Sequence, residues 1–351
     1  MIELKLLKYQ RLINKELKNF IGRHLVNIPS EWNKQFNKEL SSYLIAGGKR
    51  LRPVLATIIY EGIGGKNLSS FAKLSLSAEI LHNSTLIHDD LIDTSDIRRN
   101  KSSFHKRFEV LFNKKMINNA KKESESMAIL AGDYLIFLAL QCILDSDFSD
   151  EKKLYVIKVI RETSETVIRG QILDDEMEYS NATEADYMKL IEMKTASVFE
   201  YSTKVATVLA DAKDGISHVL WNYSKAVGCA FQIQDDILGI FGKQNELGKP
   251  LTSDLAEGKK TILILKAYEN ANGMQKNILD RIIGNKNVNL DNVEEIKKVL
   301  RETKALDYAK GLANNYANES INLLKPLKGK ISDDAYNILY KLPTLIISRN
   351  Y

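Results

Sequence analysis

The chain has 351 residues, 44% of them hydrophobic and 27% charged, the balance of a soluble globular protein and not of a fibrous or disordered one. Fifty Lys and Arg against 45 Asp and Glu leave a net charge of +5, too small and too dispersed to call for nucleic acid. Two lone cysteines, Cys142 and Cys229, give neither a disulfide framework nor a zinc pattern, so a reducing cytoplasm is the expected setting.

In chain order, the N-terminal stretch carries Lys5, Lys8, Lys15 and Lys18 but also Glu3 and Glu16. It reads as an amphipathic helix, not a signal or transit peptide. "GGKRLRP" (47–53) then sets Lys49, Arg50 and Arg52 behind a glycine pair. Glu79 and His82 form Glu-x-x-His, as in di-iron bundles, but those carry two such pairs and no other histidine here follows a glutamate at that spacing. "LIHDDLIDTSDIRR" (86–99) places Asp89, Asp90 and Asp93 among Leu86, Ile87, Leu91 and Ile92. Asp89 and Asp93 are four apart, so on a helix they share one face, where like charges repel by a few tenths of a kcal/mol.

The segment Lys106 to Ser126 is polar in its second half and predicts an exposed loop insertion around 106–126. Met127 to Leu144 is the most apolar stretch, interrupted by Asp133 and Gln141, and predicts a helix buried in protein with no transmembrane segment. From Tyr187 apolar residues recur at helical spacing through Ala210, with Thr183 and Asp186 as the capping start. "FQIQDDILGIFG" (231–242) repeats the adjacent aspartates, Asp235 and Asp236, inside an apolar helix. Gly242 to Lys249 is no phosphate loop: five residues instead of four precede Gly248-Lys249, and Pro250 follows. Asp291 and Glu294 predict a last capping box. With no period-2 run, no internal repeat and no composition break, the expectation is one all-α domain, a large bundle of ten or more helices.

Taken alone, an acidic pair four apart is a solvated helix face as readily as a metal site. Two apolar-framed aspartate clusters 146 residues apart (235 − 89) change that balance, because two facing helices could hold Mg²⁺ between them, with substrate phosphates completing the oxygen shell. The scattered basic residues then supply the other half of a diphosphate site, arginine as a planar fork and lysine as a point charge.

These residues resemble the all-trans (E-type) isoprenyl diphosphate synthases, and within them archaeal geranylgeranyl diphosphate synthases. Five ordered motifs carry the resemblance: "GGKRLRP", "LHNSTLIHDDLIDTSDIRR" (81–99), "GQILD" (170–174), "KTA" (194–196) and "FQIQDDILGIFG…GKPLTSDLAEGKKT" (231–261). The resemblance implies the isoprenoid synthase fold, an orthogonal helix bundle around a central active-site cavity, in a homodimer. It implies Mg²⁺ on Asp89, Asp93 and Asp235, three ions per site with substrate bound, while Asp90 and Asp236 lie behind and Gln171 and Asp174 support the first wall. Lys49, Arg52, His82 and Arg99 would hold isopentenyl diphosphate, with Gln232 nearby. Arg98, Lys194, Lys249 and Lys259 would hold the allylic diphosphate, and Thr195 would lie beside its reacting end. The implied reaction is ionisation, condensation and elimination in a dry apolar cavity, giving an all-trans polyprenyl diphosphate, C20 or longer.

The sequence departs from the family pattern in its second aspartate motif and leaves the product length open. The second aspartate motif is DDxxG, with Gly239 in place of a third aspartate, and metal binding on that wall is expected to rely on Asp235 and Asp236. Ser84 and Thr85 lie one turn before Asp89, where many C20 relatives place an aromatic floor, so the floor is expected lower, near Leu81, Ile80 or Ser77, or on another helix. A terpene cyclase would lack the Lys49/Arg52 clamp, a silent regulatory subunit would lose aspartates that this chain keeps, and a helical scaffold would leave the ordered motifs unexplained.

Overall fold

Helices account for nearly all the regular structure, as the sparse prolines and the 3.6-residue apolar spacing require. The structure, a computed structural model, describes residues 2–25, 29–243, 248 and 250–348. The chain divides into two compact units, residues 1–159 with 204–212 and residues 160–203 with 213–351. The sequence shows no composition break between them because the division falls inside continuous helices, α7 (Asp150–Tyr179) and α9 (Ser197–Leu209).

The first unit contains α1 (Ile2–His24), α2 (Glu31–Ile45), α3 (Leu51–Gly62), α4 (Leu68–Ile92), α5 (Phe104–Lys114) and α6 (Ala120–Leu144). Its centre is α4, which starts at Asn67, whose side chain accepts from the Ser70 N–H. From Ser70 to Leu81 almost every residue of α4 is buried, so it has no wet stripe and packs against α6, α3 and α1 together. By length and composition α6 could cross a membrane. One side of it is buried in protein as expected, through Ala128, Ala131, Gly132 and Leu135. A Cβ at Gly132 would lie 2.1 Å from His88 Nε2, so any larger residue there requires the His88 ring to turn away. The opposite side leaves Ile129, Leu130 and Phe137 exposed.

The expected loop at 106–126 is corrected: α5 carries the chain to Lys114 and α6 resumes at Ala120. The cause is Phe104, Phe108 and Phe112, spaced by four and all buried, whose rings meet one another, Phe36 and Trp32. A turn at 115–119 remains, with Met116 and Asn119 in the left-handed region. The one sheet among the described residues is a hairpin of two-residue strands, β1 (Ile97–Arg98) and β2 (Lys101–Ser102).

The second unit contains α8 (Glu184–Ile191), a π turn (Glu192–Ala196), α10 (Asp214–Phe241), α11 (Ser253–Glu257), α12 (Ile262–Asn270), α13 (Gly273–Ile282), α14 (Leu290–Glu302), α15 (Ala305–Leu324) and α16 (Asp333–Ile347). Helix α10 is its axis, packed on α15, α16 and the π turn. Pro343 inside α16 cannot donate to the Leu339 carbonyl, and the buried Tyr223 hydroxyl donates there instead at 2.6 Å. Thr183 and Asp186 form the expected capping box of α8. The last box is displaced by two residues: the Asn289 side chain accepts from the Asn292 N–H and the Asn292 side chain from the Asn289 N–H, so α14 is already capped before Asp291.

Candidate active site

In the first unit, the chain reverses sharply after the aspartates of α4. Asp93 is the C-cap, Thr94 takes the left-handed conformation (φ 54), and the Ser95 and Thr94 N–H groups bond the Asp90 and Leu91 carbonyls. The hairpin follows, turning on Arg99 (φ 53) and Asn100 (φ 58), both left-handed as a type I′ turn demands. This double reversal returns Arg98 to the helix it has just left. Its Nε lies 2.7 Å and its Nη2 2.5 Å from one oxygen of Asp90, which is fully buried. Asp90 is therefore turned into the protein, while Asp89 and Asp93 stay part-exposed.

Burial raises Asp90 to about 6, with Arg98 pulling it down and Asp89 and Asp93 pushing it up. Burial works against the charge of Arg98 as well, but the Asp90 carboxylate more than offsets this and holds the guanidinium above its ordinary range. The predicted clamp gathers around His82. Burial first, then the charges of Arg52, Arg99, Arg98 and Arg50, hold His82 well below the usual histidine range, so its ring is neutral. Arg99 rests against the Tyr43 ring, its Cζ 5.9 Å from the centroid, and approaches the Ala46 carbonyl at 3.3 Å. Arg52 is buried at the start of α3, and Lys49 is exposed just before it.

Arg50, the middle member of that basic run, does something else. It is 3% exposed and left-handed (φ 50). Its guanidinium reaches Glu79 at 2.6 Å, the Leu44 carbonyl at 2.6 Å and Asn14 at 3.2 Å. The Glu-x-x-His spacing thus splits into a structural anchor for Arg50 and the predicted clamp residue His82. Leu81 and Ser84 are buried on α4, and the Thr85 hydroxyl is turned back to the His82 carbonyl.

In the second unit, Asp174 receives Lys194 at 2.8 Å and Lys259 at 3.4 Å, joining two of the predicted diphosphate lysines at one oxygen. Burial pulls Asp174 upward, but the two ammonium groups outweigh it and hold the carboxyl below its usual range. Gln171 donates to Asp175 at 2.9 Å, and its Oε1 is a buried acceptor with no hydrogen bond. Lys249 lies outside the described residues.

Lys194 and Thr195 sit in the π turn, where one extra residue breaks the expected uninterrupted helix. Two glycines give this turn room. A Cβ at Gly170 would lie 3.1 Å from the Lys194 nitrogen, and one at Gly228 would lie 2.6 Å from the Ala196 Cα. Asp235 is exposed on α10, whereas both Asp236 oxygens are taken, by the Tyr187 hydroxyl at 2.7 Å and Gln232 Nε2 at 2.8 Å. Burial raises Asp236 to about 7, against those two donors and with Asp254 and Asp235 adding to the rise. Gln232 Oε1 in turn accepts from the Thr195 hydroxyl at 2.6 Å. The glycine of DDxxG also has a cause: a Cβ at 239 would lie 2.4 Å from Asp254 Oδ2, so a carboxylate from α11 lies against α10 where a third aspartate would root.

Sequence reasoning missed Tyr187, Asp254 and the buried Arg50–Glu79 pair. Tyr187 stands out only as a tyrosine in the first turn of α8, and a buried hydroxyl needs a partner that spacing does not name.

Residues 34–302 match the polyprenyl synthetase family. The chain belongs to that family. It is 34% identical over 335 residues to a geranylgeranyl diphosphate synthase of Saccharolobus solfataricus, covering 93% of this chain and 92% of that one. A short chain isoprenyl diphosphate synthase of Methanocaldococcus jannaschii is 34% identical over 299 residues, 85% of this chain and 83% of that protein. Among solved structures, a geranylgeranyl pyrophosphate synthase of Corynebacterium glutamicum, complexed with isoprenyl diphosphate and magnesium, superimposes with a TM-score of 0.91 at 26% identity, covering 98% and 99% of the two chains. The all-α architecture is that of the isoprenoid synthases, as the five motifs imply, and family membership makes the chain a prenyltransferase.

Proposed function

We propose that the protein is an Mg²⁺-dependent geranylgeranyl diphosphate synthase, adding isopentenyl diphosphate to a dimethylallyl, geranyl or farnesyl diphosphate. The observation that carries this reading is the match, over most of both chains, to an archaeal synthase of that name. Asp89, Asp93 and Asp235 are the metal-binding residues of the proposal. Asp89 and Asp93 are part-exposed and Asp235 is exposed, while the neighbouring Asp90 and Asp236 are hydrogen-bonded within the protein. Among the described residues no three acidic, histidine or cysteine groups converge to hold an ion by themselves. That donor set fits Mg²⁺, which takes part of its shell from substrate phosphate and water. Three ions with substrate bound is the proposed number, and the metal's contribution is to neutralise the departing diphosphate.

The remaining groups orient and exclude. Lys49, Arg52, neutral His82 and Arg99 hold isopentenyl diphosphate. Arg98, Lys194 and Lys259, with Lys249, hold the allylic diphosphate so that its C–O bond can ionise. The apolar lining keeps water from the cation until the isopentenyl double bond attacks and a proton leaves to the released diphosphate. Incubation with labelled isopentenyl diphosphate, each primer and Mg²⁺ should give C20 product, and a chelator should abolish it. No elongation from any primer would overturn the proposal.

Ser84 and Leu81 are buried on α4 one and two turns before Asp89, and small Ser84 favours C25 or longer as the second reading. Ser84→Phe should shorten the product by at least one isoprene unit, read by chromatography of the dephosphorylated alcohols. An unchanged length profile places the floor elsewhere.

The proposed assembly is a cytoplasmic homodimer, supported by the exposed apolar side of α6. Phe137 is 68% exposed and shares that helix with exposed Ile129 and Leu130. Phe137→Glu should shift sedimentation from dimer to monomer at micromolar concentration. A mutant that stays dimeric would remove this face from the interface.

A further inference from the structure

We infer that Tyr187 is a positioning residue that fixes, through Asp236 and Gln232, which side of the Thr195 hydroxyl faces the reacting substrate. The inference rests on the proposed function, which puts Thr195 beside the allylic end, and adds to it a residue with no part in the motifs.

The argument follows the donors. Tyr187 is 1% exposed, and its hydroxyl has one proton, given to Asp236 Oδ2 at 2.7 Å. Gln232 Nε2 gives a proton to Asp236 Oδ1 at 2.8 Å. An aspartate carboxylate only accepts, so the Gln232 amide must turn its nitrogen toward Asp236. Its carbonyl oxygen then faces Thr195, and it too only accepts. The single Thr195 proton is thereby committed to Gln232 at 2.6 Å, and what the hydroxyl presents elsewhere is lone pairs. A lone pair favours a developing positive charge, whereas an O–H pointed the same way opposes it.

Tyr187 enters because Gln232 satisfies only one oxygen of the part-buried Asp236 carboxylate. Without the phenol the second oxygen loses its fixed donor, and the part-buried carboxylate is free to rotate toward another one. A rotated Asp236 carboxylate no longer fixes which way the Gln232 amide faces, and Thr195 is free to turn its proton outward. A tyrosine that merely filled space would leave this polarity untouched. The π turn sharpens the dependence, since Thr195 is held on irregular backbone seated against Gly170 and Gly228.

The test is a double-mutant cycle on the full-length protein with isopentenyl diphosphate, a geranyl primer and Mg²⁺. Tyr187→Phe should lower kcat about tenfold, with both KM values within about twofold. Binding of a thio-linked allylic diphosphate, which ionises poorly, should be unchanged by calorimetry. Thr195→Val should lower kcat at least as far, and adding Tyr187→Phe to it should cost nothing more, because both changes interrupt one chain. If Tyr187→Phe does not accumulate in folded form, Gln232→Met replaces it in the same cycle. A wild-type kcat in the single mutant, or losses that multiply in the double, would overturn the relay. A wild-type protein that elongates no primer overturns the functional reading and the relay together, whereas an active wild type with a silent Tyr187→Phe overturns the relay alone.

Discussion

Glu79→Ala is expected to destabilise the unit built around α4 by about 3–5 kcal/mol, because it leaves the Arg50 guanidinium charged and buried without its carboxylate. The side chains of Arg50 and Glu79 are 1% and 4% exposed and meet at 2.6 Å, so water can reach neither partner to compensate. The Leu44 carbonyl and Asn14 remain as dipolar partners for Arg50, which is too little for a full charge. Asn83, whose amide also donates to Glu79 at 3.1 Å, loses an acceptor in the same step. The thermal midpoint should fall by roughly 10 °C for a unit of this size. The control is Arg50→Met with Glu79→Leu, which replaces the pair by apolar volume and should recover most of the loss. A single mutant within 1 kcal/mol of wild type, or a double worse than either single, would show that the pair does not anchor the loop before α3. Activity should follow stability here, since Glu79 binds no substrate in the proposal.

That distinction marks how far the sequence could be read. The helices are legible because burial on one face imposes a 3.6-residue period, and the two aspartate clusters are legible because adjacent acids in an apolar frame need a counter-charge. The partners of those acids are not. Asp90 finds Arg98 only because Thr94, Arg99 and Asn100 take left-handed backbone and fold the chain back, and nothing in a string of L-residues announces φ values that glycine would adopt more readily. Asp236 finds Tyr187, 49 positions earlier, through the packing of α8 on α10. Polar composition misled at 106–126, where Lys114, Lys115 and the Asn pair masked a phenylalanine stripe one helical turn apart. The DDxxG departure looked like a loss, whereas the spatial neighbour Asp254 already takes the room a third side chain would need. Local chemistry writes itself into spacing, and contacts made across the fold do not.

The glycine at 228 carries the largest expected effect on turnover. Its Cβ would stand 2.6 Å from the Ala196 Cα and 3.0 Å from its Cβ, where ordinary contact begins at 3.4 Å. In Gly228→Ala the obstacle is backbone, not a flexible side-chain end, so α10 or the π turn must move by most of an ångström. The π turn carries Lys194 and Thr195 and lacks the regular i to i+4 ladder that would resist displacement. A reacting group misplaced by about 1 Å can cost on the order of 100-fold in rate, and that is the loss expected in kcat. Stability should move in the opposite sense to intuition for part of this change, because alanine in a helix interior gains about 0.5–1 kcal/mol over glycine. Gly311→Ala, in the interior of α15 with nothing within 4 Å of its added Cβ, isolates that gain and should leave kcat unchanged. If Gly228→Ala also keeps kcat within about twofold, the turn tolerates displacement, and the positions of Lys194 and Thr195 are set by their bonds to Asp174 and Gln232 instead of by the glycine seat.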